Sequence, residues 1–203
     1  MKERLLQLAA AFGTGAILLA TTSCGNVQGK APSFLVIDSL AGASGAVPGQ
    51  YGGTLQADVV TTVSGVATRF EDLGQAQLRI VLKDQGAPGA TAAPSALNAI
   101  TVNRYHVAYR RADGRNVQGV DVPYDFDGAV TATVTTSATQ LGFSLVRIQA
   151  KLEPPLRALA SLGGSVAIST IADVTFYGHD QAGNEVSQTG SISITFADWA
   201  DPS

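Results

Sequence analysis

The side chains that most often do nucleophilic or metal chemistry are scarce in this chain: two histidines, His106 and His179, and one cysteine, Cys24. A zinc motif of the helical type needs two histidines four apart on one face, and neither histidine has such a partner. One cysteine permits no intramolecular disulfide and no CxxC chemistry. A serine nucleophile needs a base within hydrogen-bond reach and an oxyanion hole. No G-x-S-x-G elbow is present, because Gly42, Ser44 and Gly45 have the wrong spacing. No phosphate loop or dinucleotide fingerprint occurs. The stretch YDFDG stands out instead. Asp125 and Asp127 alternate, Gly128 permits a tight turn, and hard carboxylate oxygens at that spacing occur in half of an EF-hand calcium loop. The remaining ligands and the terminal Glu of such a loop are missing. Solvated turn aspartates are therefore the simpler reading, and no metal or other cofactor is expected.

Two further groups have recognition chemistry. Arg104, Arg110, Arg111 and Arg115 fall within 12 positions. Such a basic hairpin on an acidic chain would meet lipid phosphates or an acidic partner; equally, charge at a sheet edge blunts aggregation. Tyr105, Tyr109, Tyr124 and Phe126 lie in the same region. Tyr105 and Tyr109 share a face with Val107, which points them inward. Tyr124 and Phe126, read as loop residues, are the aromatics left to stack on a sugar or touch a partner, with Arg110, Arg111 and Arg115 beside them as contact residues.

The elements that must position these groups follow from composition and pattern. Of 203 residues, 45% are hydrophobic and 14% charged, which excludes a largely disordered chain. A net charge of −3 gives no general nucleic-acid footprint. Lys2 and Arg4 open the chain, and an apolar run of 13 residues follows from Leu8 to Ala20. That is the length of a signal-peptide core and short of the ~20 residues that cross a bilayer as a helix. Thr21, Thr22 and Ser23 lead to Cys24. This arrangement resembles a bacterial lipoprotein signal with its lipobox; Thr21 departs from the usual Leu at that place. The resemblance implies acyl chains (diacylglycerol, with palmitate-type amides) on Cys24 and cleavage before it. Two or more such chains make a stable anchor. Gly25 in place of Asp implies, by the same resemblance, the outer membrane over the inner one. The expected organisation is a signal peptide over 1–23, the lipidated Cys24 and a short tether over 24–32, and one domain over 33–203. Eight tether residues, 25–32, reach at most about 26–29 Å, which keeps the domain close to the membrane. Losing Lys2, Glu3 and Arg4 leaves 11 basic and 15 acidic side chains.

From Ser33 onward the hydrophobic period is two. Leu55, Ala57, Val59, Thr61 and Val63 share one face; Ala76, Leu78, Ile80 and Leu82 share another, with Gln77, Arg79 and Lys83 opposite. A strand over about 100–110 changes phase between Val102 and Tyr105, which predicts a bulge. Ala112–Arg115 reads as a tight Asp-Gly hairpin turn, with a return strand through Val117, Val120 and Val122. Further strands are expected at Val130–Val134, Phe143–Leu152 and Val166–Tyr177, and a last one at Val186–Phe196. At most one short helix, of one or two turns, is expected near 156–162, ended by Gly163 and Gly164. Eight or nine strands without alternating helices predict an all-β antiparallel sandwich or barrel.

The C-terminal part, in which Phe176 and Tyr177 precede Asp180, Ala182, Gly183 and Asn184 and the strand SISITF follows, resembles bacterial immunoglobulin-like domains. It implies an immunoglobulin-like β-sandwich used for adhesion, spacing or complex assembly. The expected function is thus a lipid-anchored, non-enzymatic envelope module acting on an envelope protein partner. A glycan- or surface-polymer-binding module is the alternative. A hydrolase built on a carboxylate pair is the third reading.

Overall fold

The computed structural model describes residues 29–199. Its strands, in chain order, are β1 (Ser33–Ala43), β2 (Thr54–Asp58), β3 (Thr61–Val63), β4 (Val66–Thr68), β5 (Asp72–Leu82), β6 (Gly86–Ala87), β7 (Ala90–Thr91), β8 (Ile100–Arg110), β9 (Phe126–Val134), β10 (Thr139–Val146), β11 (Ile168–Asp180) and β12 (Glu185–Ala197). One α-helix, α1 (Ile148–Leu152), follows β10. The fold is all-β, as the period-two pattern predicts.

Eight of these strands form two sheets. One has the order β1-β5-β10 and the other β2-β12-β11-β8-β9, while β3-β4 and β6-β7 are small separate ladders. All pairings are antiparallel except β2, which runs parallel to β12. Alternation sends one face of each sheet inward. Leu35, Leu78, Ile80 and Phe143 from the three-stranded sheet join Val107, Val174, Phe176, Ile192, Ile194 and Phe196 from the five-stranded one in a single buried cluster. Full burial of each such side chain contributes roughly 1.5–3 kcal/mol.

Aromatic rings bridge the two layers. Phe143 of β10 lies 5.2 Å from Tyr105 and 5.4 Å from Phe176, the latter edge-on. The rings sit tight against two glycines: a Cβ at Gly74 would collide with the Phe143 ring, and one at Gly128 with the Tyr105 ring. The expected bulge in β8 is present, because the register with both neighbours slips between Val102 and Arg104. That slip brings both Val102 and Tyr105 inward.

The ladders of β1 and β10 also slip, at Ile37/Ser39 and Ser144/Val146, and the fourth edge strand, β2, is five residues long. Slipped ladders and short strands are how sheet edges avoid pairing with other chains.

Two local expectations are corrected and a third is narrowed. Residues 147–152 are not strand: β10 stops at Val146 and α1 occupies Ile148–Leu152, with Lys151 turned into the interior. Over 156–162 there is no α-helix but a single 3-10 turn, Leu156–Leu159, whose Leu156 and Leu159 are buried. The Asp-Gly turn does not close a hairpin. Residues 111–125 form a long loop, and the strand that returns beside β8 is β9. Local hydrogen bonds favour the loop: the Arg111 amide donates to Asn116 Oδ1 at 2.6 Å and the Val117 amide to Asp121 Oδ2 at 3.1 Å. Side-chain oxygens there take the amides that a ladder would have used.

The sandwich has two ends. At one end lie Gly29, the start of β1, the loop from Lys83 to Ala99 and the 180–184 turn, joined through the pairs Ser33–Leu82, Ile100–Asp180 and Ile100–Val134. At the other lie the 111–125 loop, α1 and the end of β12. The 13 residues of β11 separate the two ends by roughly 43 Å.

Candidate functional site

The sequence-chosen residues fall mainly at the end far from Gly29. Cys24 lies outside the described residues. Tyr124 is 51% exposed and its ring rests against Gly119. Beside it, Arg147, Gln149, Ala150 and Glu153 line a shallow depression of about 190 Å³. Phe126 is not a loop aromatic. It is the first residue of β9, 6% exposed, with its ring 6.2 Å from Tyr105 and the Arg147 guanidinium 4.1 Å above it. The surface role expected for Phe126 is thus replaced by a core role, because it shares the inward phase of Gly128, Val130 and Val134.

The four arginines of the cluster are all ion-paired, to three aspartates, which leaves one positive charge in excess. Arg104 pairs with Asp127 at 3.1 Å and stacks 4.0 Å over Tyr177. Arg110 pairs with Asp173 at 2.6 Å, and Arg111 and Arg115 share Asp113, each at 2.8 Å. These two guanidiniums, Arg111 first, hold the Asp113 carboxyl well below the usual carboxylate range. The fold brings Asp127 to Arg104 and Asp173 to Arg110, while Asp113 stands within the run between the two arginines it pairs.

The calcium candidates point to separate partners. Asp125 accepts from the Tyr109 amide at 3.3 Å and Gln118 Nε2 at 2.5 Å. Asp127 accepts from Arg104 and lies 3.3 Å from His106 Nδ1. Among the described residues no three His, Cys, Asp or Glu side chains converge as a metal cage would require. His179 Nδ1 lies 3.0 Å from the Asp180 carbonyl. Asp180 organises the 180–184 turn, accepting from the amides of Ala182 and Asn184 at 2.9 and 2.8 Å and from Asn184 Nδ2 at 2.8 Å. Burial pushes its carboxyl up, and these bonds outweigh that and hold it low.

Sequence reasoning missed one cluster. At the far end, Lys151 Nζ donates to Asp72 Oδ1 at 2.8 Å, with 1% and 0% of the two side chains exposed. The same oxygen accepts from the Gly45 amide at 2.8 Å, and Oδ2 has no protein partner. Burial pushes the Asp72 carboxyl up against the pull of the Lys151 ammonium. Asp58, at the end of β2, accepts from Thr61 Oγ1 at 2.5 Å and from the Trp199 amide at 3.1 Å, and burial raises it too. The cluster ties β1, β2, β5, α1 and the chain after β12 together. A signal for it existed: Asp72 is in phase with Gly74, Ala76 and Leu78, so the inward face of β5 extends back to a carboxylate. Lys151 offers none, since the apolar run from Phe143 to Leu152 reads as strand.

Compared with protein-family models, curated proteins and solved structures, the chain matches none.

Proposed function

We propose that this protein is a lipid-anchored module of the bacterial cell envelope, held at the outer membrane through acylated Cys24 and acting by non-enzymatic contact with a protein partner. The observation that carries the anchor is the N-terminal pattern: a basic start, 13 apolar residues, three small residues and the chain's one cysteine. An immunoglobulin-like arrangement is part of the same reading. It is supported by the division into three and five strands and by β2 leaving the sheet of β1 to lie parallel to the last strand.

The partner contact is placed at the far end. The 111–125 loop exposes Val117 (61%), Val120 (67%) and Tyr124 (51%). The bonds from Asn116 and Asp121 brace that loop, which lowers the ordering cost of binding. Sheet edges are the weaker candidates because their ladders slip or are short. The glycan alternative rests on Tyr124 as well, since an exposed ring beside Arg147, Gln149 and Glu153 combines stacking with hydrogen-bonding groups.

Cys24→Ser is expected to leave the protein out of the membrane fraction or unprocessed; membrane-bound protein at the mature mass would refute the anchor. Crosslinking of the lipidated protein in cells, with and without Val120→Asp, tests the contact. A specific protein adduct lost in the variant supports it. Retention of glycan by the wild type but not by Tyr124→Ala, with no protein adduct, would favour the alternative.

A further inference from the structure

Where the chain enters the domain carries a second inference, which rests on the lipid-anchor reading. Gly29 is held beside Phe34. Lys83 Nζ donates to the Gly29 carbonyl at 2.6 Å and lies 4.9 Å over the Phe34 ring. Phe34 is 54% exposed on the outer side of β1. Gly29, Phe34, Lys83, Glu185 and Val186 line one depression of about 300 Å³, and Lys30 is exposed next to it. From Gln85 to Asn103 the chain has no charged residue, and that stretch forms much of this end, where Leu97 is 72% exposed.

Five residue steps separate Cys24 from Gly29, a span of at most about 18 Å. The opposite end of β11 lies roughly 43 Å away. An acyl anchor at Cys24 therefore keeps the Phe34 end within reach of the headgroups, whereas the 111–125 loop meets them only if the domain lies on its side. We propose that Phe34, flanked by Lys83 and Lys30, forms a second contact with the bilayer surface. The Phe34 ring enters the headgroup–acyl boundary, as apolar side chains of surface-bound segments do. The two ammonium groups face lipid phosphates, and the uncharged 85–103 stretch adds no carboxylate against an anionic surface, so that Asp84 and Glu185 are the acidic groups beside the lysines. The anchor makes the contact intramolecular, so a weak interaction suffices. The domain then stands end-on, with the 111–125 loop facing away from the membrane.

The test uses full-length lipidated protein in phosphatidylcholine–phosphatidylglycerol vesicles with brominated acyl chains, which quench tryptophan by contact. Phe34→Trp places a reporter at the proposed contact and Tyr124→Trp one at the far end; Trp199 is the shared background. The fluorescence added at position 34 is expected to be mostly quenched and that added at 124 to be retained. Lys83→Glu in the Phe34→Trp protein should weaken quenching at 34. Acylated protein with no quenching at 34 overturns the contact while leaving the anchor intact, and quenching at both positions overturns the end-on orientation. An intact mass without acyl groups overturns the anchor and this contact with it.

Discussion

Removing the ammonium at position 151 should be among the most damaging single changes in this domain. Lys151→Met keeps an unbranched stem of similar length. It leaves Asp72, with no side-chain exposure, holding only the Gly45 amide. Breaking a buried pair from one side costs about 3–5 kcal/mol, because the remaining charge is uncompensated. Total stabilities are about 5–15 kcal/mol, so this is a large fraction. At about 2–4 °C per kcal/mol for a domain of this size, the melting point should fall by roughly 6–20 °C. The effect also has a pH signature. Burial already raises the Asp72 carboxyl in the folded protein. Between the unfolded value near 3.8 and the folded value, the folded state binds the extra proton, so stability falls as pH rises through that window. Without Lys151 pulling the carboxyl down, the window widens upward. The gap between wild type and variant should be largest at neutral pH and narrow on acidification, closing below the unfolded value near 3.8, where the carboxyl is protonated in folded and unfolded protein alike. Urea unfolding followed by the fluorescence of Trp199, whose amide is bonded to Asp58, measures this at each pH. Asp72→Asn, which keeps an acceptor for Gly45, should itself be costly, and the double variant should cost less than the sum of the singles by about 0.5–3 kcal/mol. A Lys151→Met protein within about 1 kcal/mol of wild type at pH 7, or a gap that does not narrow on acidification, would refute the buried-pair account.

Gly128→Ala should destabilise by about 1–3 kcal/mol through overpacking, because its Cβ would enter the Tyr105 ring; chemical denaturation reads this directly. Asp180→Ala removes the acceptor of three short hydrogen bonds and should cost about 1–3 kcal/mol for the donors left unpaired. Hydrogen exchange should show faster amides at Ala182 and Asn184. Since the Asp180 carboxyl is held low, its contribution persists down to mildly acidic pH and is lost as pH falls through the folded value. Arg110→Gln should leave the urea midpoint unchanged, because the Arg110–Asp173 pair is exposed and screened; a clear drop would show that the arginine–aspartate pairs on this face act as a network.

What was legible in the chain was whatever depends on neighbours close in sequence. Alternation placed Ala76, Leu78, Ile80, Ile192, Ile194 and Phe196 on inward faces, and the phase change after Val102 marked the bulge. Two of the differences share one cause. Phe126 follows turn-type residues and 147–152 continues an apolar run, but the state of both depends on what packs over them. Phe126 faces Tyr105 and Arg147. Residues 148–152 turn helical and carry Lys151 over to Asp72, 79 positions away. The loop at 111–125 went unread for a different reason: Asn116 and Asp121 capture amides that a two-residue turn would have left to a ladder.

The sequence by itself determined the class of structure, an all-β chain with a period of two from Ser33 onward, and the position of its single cysteine after an apolar run. Both are properties of local order along one chain. Only the tertiary structure decided the pairing of charges. It matched Arg104 to Asp127 and Arg110 to Asp173, buried Lys151 against Asp72, and put the entrance at Gly29 and the 111–125 loop at opposite ends. Coulomb energy and burial depend on distance in space and on the medium between the groups, and neither is a function of separation along the chain.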